Sequence, residues 1–148
     1  MRLLLTSGGL TNETLRYAVS SFSTKPIRIA FIPTAANVKE GEKSWLINDF
    51  VNCQKLGPVD IIDIAAIDKK LWLPRLEYAT VIVMGGGSSS YLLEQIKKSG
   101  LQQELPALLE KRLYVGISAG SIVACKTLQI SSEYFWDNKP KRIPTALN

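Results

Sequence analysis

The pentapeptide Gly116-Ile117-Ser118-Ala119-Gly120 has the spacing of a nucleophile elbow, in which a serine sits at a sharp turn between a strand and a helix. The apolar residues 113–117 predict a buried strand before the turn, and residues 119–126 are compatible with a helix after it. Ser118 is therefore expected to project from the carboxyl end of a sheet, where the free N–H groups of a helix start favour a developing oxyanion. The alternative is a turn of small residues with no chemical role.

A second run of small residues, Gly85-Gly86-Gly87-Ser88, precedes a predicted helix and has three interpretations. Its backbone N–H groups would suit a phosphate, but neither of the glycine-rich nucleotide-binding motifs is present. It would equally supply one N–H to an oxyanion hole, opposite the residue that follows the nucleophile. The third interpretation is a tight strand-to-helix turn.

The chain contains no histidine, which limits any mechanism built on Ser118. A serine hydroxyl without a base is a poor nucleophile at neutral pH. Lys126 lies two helical turns from Ser118, so a Ser–Lys pair is not expected. Cys53 and Cys125 lack metal-ligand spacing and are interpreted as packing residues of a reducing compartment. We therefore expect a cytoplasmic protein with no metal and no cofactor.

Composition excludes several classes of protein. The 148 residues are 46% apolar and 21% charged, which predicts one globular domain. No apolar stretch approaches the ~20 residues that span a bilayer, and the run at residues 3–5 is too short for a signal peptide. The net charge is +5, but the basic residues are scattered and not interleaved with aromatic ones. We expect neither a membrane nor a nucleic-acid partner, although a basic surface would steer an acidic substrate.

Apolar strands alternate with amphipathic helices along the chain, which predicts a three-layer α/β/α fold with a mostly parallel sheet. The predicted strands are residues 3–6, 27–32, 59–64, 80–84 and 113–117. The predicted helices are 12–22, 42–56, 68–76 (interrupted by Pro74), 88–98, 101–111 and 119–126, and residues 131–148 show no clear period. Loops of small residues at 7–9, 33–35, 85–87 and 118 would meet at the carboxyl edge of the sheet, where such folds bind ligands.

These loops, taken in order, resemble the peptidase E family of aspartyl dipeptidases. The motifs are Ser7-Gly8-Gly9 after the first strand, Ile32-Pro33-Thr34-Ala35, Gly85-Gly86-Gly87 before Tyr91-Leu92-Leu93, and Gly116 to Ser121. The resemblance covers residues 2–125. It implies a glutamine-amidotransferase-like, flavodoxin-like fold and a cytoplasmic serine hydrolase that removes N-terminal aspartate from small peptides without a metal.

By position in these motifs, the resemblance assigns the nucleophile to Ser118 and the oxyanion hole to the backbone N–H groups of Gly87 and Ala119. Ser88 departs from the asparagine that usually follows the glycines. Family members continue into a segment that brings the catalytic histidine, its acidic partner and basic substrate-binding residues. Glu133 and Asp137 lie where the family carries acidic loop residues, but neither is assigned a catalytic role.

We therefore expect residues 1–148 to form a single peptidase E-like domain that lacks this C-terminal segment and is nearly inactive alone. The sheet edge uncovered in this way is expected to self-associate. The resemblance also predicts the strand order: the first strand between the second and fourth, and the fifth beyond the fourth. Residues 7–9 and 85–87 would then flank the crevice where the strand order reverses.

Two other functions stay open. One is a non-catalytic protein that keeps the fold and a pocket for a small ligand. The other is a glutamine-amidotransferase-like hydrolase of another substrate class, which is disfavoured because those enzymes carry cysteine at the elbow.

Overall fold

The computed structural model describes residues 1–22 and 25–125, in which strands and helices alternate. The strands are β1 (Arg2–Thr6), β2 (Ile29–Ile32), β3 (Val59–Ile61), β4 (Val81–Met84) and β5 (Leu113–Ile117). The helices are α1 (Glu13–Phe22), α2 (Ser44–Gln54), α3 (Lys69–Tyr78), α4 (Ser89–Lys98), α5 (Leu101–Lys111) and α6 (Ala119–Val123), with a short 3-10 helix at Thr34–Ala36.

The strands form one parallel sheet in the order β1-β5-β4-β2-β3. Helices cover both faces. Trp72, Leu92 and Leu105 pack on one face from α3, α4 and α5, whereas Val19 and Cys53 pack on the other from α1 and α2. Burial of these apolar faces against the sheet is the main stabilising contribution. The predicted three-layer α/β fold is confirmed.

The predicted position of the first strand is wrong, whereas β5 lies beyond β4 as predicted. Strand β2, not β1, is the other neighbour of β4, and β1 pairs only with β5 in the part of the chain that the structure describes, with Leu4 opposite Val115. Every residue of β2, β4 and β5 is buried, whereas Leu3 and Leu5 of β1 are exposed. Burial on both faces marks a central strand. The three leucines of β1 are apolar enough for such a position, but Leu3 and Leu5 lie on one face of the strand that the described residues leave partly exposed.

Of the two loops predicted to flank the crevice, residues 85–87 do so and residues 7–9 do not. After β2 the chain moves outward to β3, and after β4 it moves the opposite way to β5, so the reversal falls between β2 and β4. The loops that flank the reversal are Pro33–Ala36 and Gly85–Gly87. Residues 7–9, at the end of β1, lie instead beside the end of β5.

Several element boundaries also differ from the predicted ones. Helix α2 begins at Ser44 rather than at residue 42, and the Glu42 carboxylate before it accepts a hydrogen bond from the Ser44 N–H (2.8 Å). Helix α3 continues through Pro74 to Tyr78, whereas an interruption at Pro74 was predicted. Strand β3 ends at Ile61 rather than at residue 64, and the predicted end of α6 at Lys126 lies outside the described residues.

None of the helices in residues 1–22 and 25–125 is long and apolar enough to cross a lipid bilayer. Both cysteines are free thiols. The Cys53 side chain, which belongs to α2, is fully buried. Burial together with the nearby Asp49 raises the pKa of its thiol to about 12. This thiol is a packing residue, as predicted.

Candidate active site

Ser118 occupies the turn between β5 and α6 in a strained backbone conformation, with φ +48° and ψ −105°. It is the one non-glycine residue with positive φ in the described part of the chain. Such a conformation costs about 1–3 kcal/mol and persists only when its surroundings enforce it. The Ser118 side chain is exposed at the carboxyl edge of the sheet. The geometric part of the elbow prediction is therefore confirmed.

Backbone hydrogen bonds hold the turn on both sides. The Ser118 N–H donates to the Thr6 carbonyl (2.9 Å), and the Ser118 carbonyl accepts from the N–H groups of Ser121 (2.9 Å) and Ile122 (3.0 Å). These bonds tie the turn to the end of β1 and to the first turn of α6. Together they explain how the strained conformation is retained.

Helix α6 packs directly on the sheet because Gly120 has no side chain. A Cβ atom at Gly120 would collide with the carbonyl oxygen of Met84 at the end of β4. The buried Tyr114 hydroxyl donates to the Gly120 carbonyl (2.6 Å) and fixes the helix from the other side. The second glycine of the elbow motif is therefore required by this close approach.

Two hydroxyl residues that were missing from the sequence prediction also position the turn. The Ser121 hydroxyl donates to the Thr6 carbonyl (2.8 Å) and accepts from the Thr6 N–H (3.1 Å), so it joins α6 to β1. The Thr6 hydroxyl in turn donates to the Gly116 carbonyl (3.1 Å). The sequence signal was a second serine three residues after Ser118, which the motif does not require. Because Ser121 is engaged in this way, Ser118 is the free hydroxyl of the pair.

The glycine loop after β4 runs beside Ser118. A Cβ atom placed on Gly86 would lie 3.5 Å from Ser118 Cβ. Gly87 has φ +139°, and a Cβ there would overlap the backbone of Ala35. Next to it, the Ser88 N–H donates to the Ala35 carbonyl (2.9 Å) and its hydroxyl caps α4 by accepting from the Tyr91 N–H (3.2 Å). Serine thus holds this loop in the place where the family usually has asparagine.

The N–H groups of Gly87 and Ala119 have the freedom that an oxyanion hole needs. Neither donates a hydrogen bond to any residue in the described ranges. Ala119 is the first residue of α6, where backbone N–H groups lack helical acceptors. The assignment of these two groups to an oxyanion hole stays a prediction that this geometry favours.

A cavity of about 520 Å³ opens beside Ser118. Its walls include the loops after β1, β4 and β5 and one face of α2, with Ser7, Trp45, Asp49 and Gly87 among its lining residues. This volume is in the range of pockets that hold small ligands. Burial raises the pKa of the Asp49 carboxyl in this wall to about 6, from an ordinary value of 3.8.

No base for Ser118 is found in the described part of the chain. The Ser118 hydroxyl makes no hydrogen bond to a described side chain, and the sequence contains no histidine. Lys126, Glu133 and Asp137 lie outside the described residues. Among the described residues, no three acidic, cysteine or histidine side chains come close enough together to hold a metal ion. The described part of the site therefore brings the exposed Ser118 side chain and the glycine loop to one cavity, and it contains no group that would activate a serine hydroxyl.

Comparison with known proteins finds that this chain is similar to one family. Residues 3–148 match the model of peptidase family S51. Peptidase E of Escherichia coli (strain K12 / DH10B) and peptidase E of Shigella boydii serotype 18 are each 32% identical to this chain over 59 residues. That segment is 39% of this chain and 26% of each relative, so the match spans about a quarter of the relatives' length.

Two solved structures share the fold. A Listeria monocytogenes EGD-e protein named as a peptidase E superposes with a TM-score of 0.79 at 24% identity, covering 99% of this chain and 73% of that one. A peptidase from an acI-B1 Actinobacterium superposes with a TM-score of 0.73 at 18% identity, covering 99% of this chain and 63% of that one. These likenesses establish the α/β fold.

Proposed function

Because the chain belongs to peptidase family S51, we propose that its site hydrolyses short peptides by acyl-enzyme chemistry at Ser118, with aspartate preferred at the amino terminus. The observation that carries the proposal is the strained Ser118 turn, whose exposed side chain lines a cavity together with Gly87, a residue whose N–H donates to no described acceptor. The aspartate preference rests on the resemblance to peptidase E.

The geometry supports each step of acyl transfer that the described residues perform. Ser118 Oγ attacks the carbonyl carbon of the peptide bond, and the oxygen of the tetrahedral intermediate accepts hydrogen bonds from the N–H groups of Gly87 and Ala119. Collapse of the intermediate releases the protonated amine and leaves an ester on Ser118, which water then hydrolyses. The proton of the hydroxyl must pass to a base that the described residues do not supply.

Lys39 lines the same cavity and is the basic side chain there among the described residues. Its ammonium group suits the side-chain carboxylate of an N-terminal aspartate, because opposite charges attract more strongly in a cleft than in bulk water. This contact is part of the proposal for substrate preference.

We expect the 148-residue chain alone to hydrolyse aspartyl dipeptides at no more than trace rates. Losing the base leaves binding and the oxyanion hole, which together give about 10³–10⁴-fold acceleration over water, against ~10⁶ or more for a complete set. Supplying the C-terminal segment of the Escherichia coli peptidase E as a second polypeptide is expected to raise the rate. The measurement is release of free aspartate from a dipeptide.

Two variants make this experiment decisive. Ser118→Ala should abolish the recovered hydrolysis, whereas Ser20→Ala, at an exposed position of α1, should retain it. Turnover that survives Ser118→Ala would remove Ser118 from the mechanism. Robust turnover by the chain alone, lost on Ser118→Ala, would show that it recruits a base from its own residues.

The absence of a base beside Ser118 in the described residues favours a second candidate, a non-catalytic protein that binds a small peptide on the same fold. The two candidates differ in one observable. The binding protein would hold the peptide in the cavity without hydrolysis, even when the C-terminal segment is supplied.

We also propose a cytoplasmic location, which two free thiols favour because reducing compartments keep cysteines unpaired.

A further proposal is self-association through β1. Leu3 and Leu5 are 39% and 44% exposed on this strand, whose outer edge is unpaired among the described residues. Replacing both leucines with lysine should lower the sedimentation coefficient at high protein concentration, and an unchanged coefficient would contradict this proposal.

A further inference from the structure

Asp49 is a buried carboxylate in the wall of the cavity that contains Ser118. It lies on α2 and is only 7% exposed. A Cβ atom at Gly9 would collide with Asp49 Oδ1 and would lie 3.6 Å from the Ile117 side chain. The carboxylate is therefore held between α2 and the loop after β1, close to the residue that precedes Ser118.

This carboxylate has no partner among the described residues. It accepts no hydrogen bond from them and forms no ion pair with them. Buried carboxylates are normally paired, because removing a charge from water without compensation is costly. An unpaired carboxylate that lines an open cavity is consequently a site for a ligand that brings a positive charge or a hydrogen-bond donor.

The surrounding groups do not neutralise Asp49. Lys39 and Glu40 line the cavity without an ion pair to it. The Cys53 thiol, one helical turn further along α2, stays protonated because burial raises its pKa to about 12. From the packed elements, Arg16 of α1 donates to the Leu10 carbonyl (2.9 Å), and Asp60 of β3 is paired with Arg75.

Asp49 does not have the position of a base for Ser118. A general base must lie within hydrogen-bond reach of the hydroxyl whose proton it takes, and no hydrogen bond joins Asp49 to the Ser118 hydroxyl. A divalent cation is also a poor occupant. Such ions take several oxygen ligands, and no group of three acidic side chains comes together in the described residues.

We infer that Asp49 binds the α-ammonium group of the N-terminal residue of the peptide, an inference that rests on the proposed function. An enzyme that removes a single N-terminal residue must recognise a free amino terminus. The α-ammonium lies two bonds from the scissile carbonyl carbon, so its partner has to line the same cavity as the nucleophile without contacting the hydroxyl. Asp49 meets both conditions, and one carboxylate matches one ammonium.

The test compares binding of two peptides to the full chain carrying Ser118→Ala, which prevents turnover. The peptides are Asp-Leu with a free amino terminus and N-acetyl-Asp-Leu, and calorimetry measures both affinities. We expect at pH 7 that the free peptide binds at least about tenfold more tightly, since one charge-assisted hydrogen bond contributes that much. Adding Asp49→Asn should remove this preference. Adding Asp68→Asn, at an exposed carboxylate outside the cavity, should keep it.

A pH series tests the same point without a substitution at Asp49. Because the free chain protonates Asp49 with a pKa of about 6, binding of the free peptide should weaken about tenfold between pH 7 and pH 5. The weakening should be absent for N-acetyl-Asp-Leu and in the Asp49→Asn chain.

Equal affinity for the two peptides, a preference that persists in Asp49→Asn, or no binding of either peptide would each overturn the inference. The proposed function is judged separately by the effect of Ser118→Ala on hydrolysis. Hydrolysis lost in Ser118→Ala, together with equal binding of the two peptides, would remove the ammonium site and leave the proposed function standing.

Discussion

The two walls of the cavity are stabilised in opposite ways. At the Ser118 turn, hydrogen bonds and close packing hold a strained backbone, while the Ser118 hydroxyl and the N–H groups of Gly87 and Ala119 make no hydrogen bond to the described residues. On the α2 wall, a relaxed helix carries a buried carboxylate with no partner in the described residues. The Ser118 wall thus contains a strained backbone, and the α2 wall contains a carboxylate that no described residue pairs with. If both proposals hold, the reacting group and the group that binds the ligand's charge lie on separate elements, the β5–α6 turn and α2.

A substitution at Gly120, where α6 packs closely on the end of β4, should lower the free energy of unfolding more than the other substitutions below. Gly120→Ala would place a methyl group against the Met84 carbonyl oxygen, where only movement of α6 can relieve the overlap. We expect a loss of about 3 kcal/mol or more in the free energy of unfolding, measured by urea denaturation. Gly8→Ala is the matched control, since nothing lies within 4 Å of its Cβ position. Equal losses in both variants would show that the packing of the turn is not special.

The next largest change in the free energy of unfolding is expected at Asp49 on the α2 wall, where a substitution should stabilise the fold rather than destabilise it. The folded-state pKa of Asp49, about 6, lies above its ordinary value of 3.8, so the unfolded chain releases this proton more readily. The contribution of Asp49 to stability is therefore present below pH 4 and is lost as the pH rises through 6. Asp49→Asn should stabilise the fold by about 2–3 kcal/mol at pH 7.

The pH supplies the control for this prediction. At pH 4 the gain from Asp49→Asn should fall to about 0.5 kcal/mol, because the folded state then holds the proton almost fully and the unfolded state holds it nearly half of the time. Urea unfolding at the two pH values measures both quantities, and Asp68→Asn controls for removal of an exposed carboxylate. A gain that is the same at pH 4 and pH 7 would indicate that burial of charge is not the cause.

A smaller loss is expected at the buried hydroxyl that fixes α6. Tyr114→Phe removes the hydrogen bond to the Gly120 carbonyl and leaves that oxygen without its donor. We expect a cost of about 1–2 kcal/mol in the free energy of unfolding. Tyr17→Phe, at an exposed position of α1, should change it by less than about 0.5 kcal/mol. If the two substitutions prove indistinguishable, the Tyr114 bond does not stabilise the turn.

The smallest effect concerns the strain at Ser118 itself. Ser118→Gly and Ser118→Ala both remove the hydroxyl, but only glycine adopts φ +48° and ψ −105° without a steric penalty. We expect the glycine variant to be more stable than the alanine variant by about 1 kcal/mol, as judged by thermal unfolding. An alanine variant as stable as the glycine variant would mean that no strain is stored there.

The sequence predicted the Ser118 wall of the cavity well, because the residues that determine this turn lie close together in the sequence. The small residues around Ser118, the apolar run of β5 and the cap at Ser88 are visible within a few positions, and each appears in the structure. The layers of the fold follow from the same periodicity of apolar residues.

The α2 wall of the cavity, with its unpaired Asp49, could not be predicted in this way. The isolation of Asp49 depends on α2 packing beside the loop after β1, a contact between residues 40 positions apart that no local pattern records. The order of the strands failed for the same reason. The apolar character of β1 does not tell which neighbour it pairs with, and its edge position follows from its pairing with β5 alone among the described residues.

The location of a covalent adduct tests the central claim, that Ser118 is the nucleophile of this cavity, most directly. The full chain would be incubated for hours with excess fluorophosphonate, digested, and examined by mass spectrometry. We expect slow or no labelling of the chain alone, and one adduct, at Ser118, when the C-terminal segment of the Escherichia coli peptidase E is supplied, with none in Ser118→Ala. No adduct even with that segment, or an adduct on Ser7 or Ser121 instead, would contradict the claim.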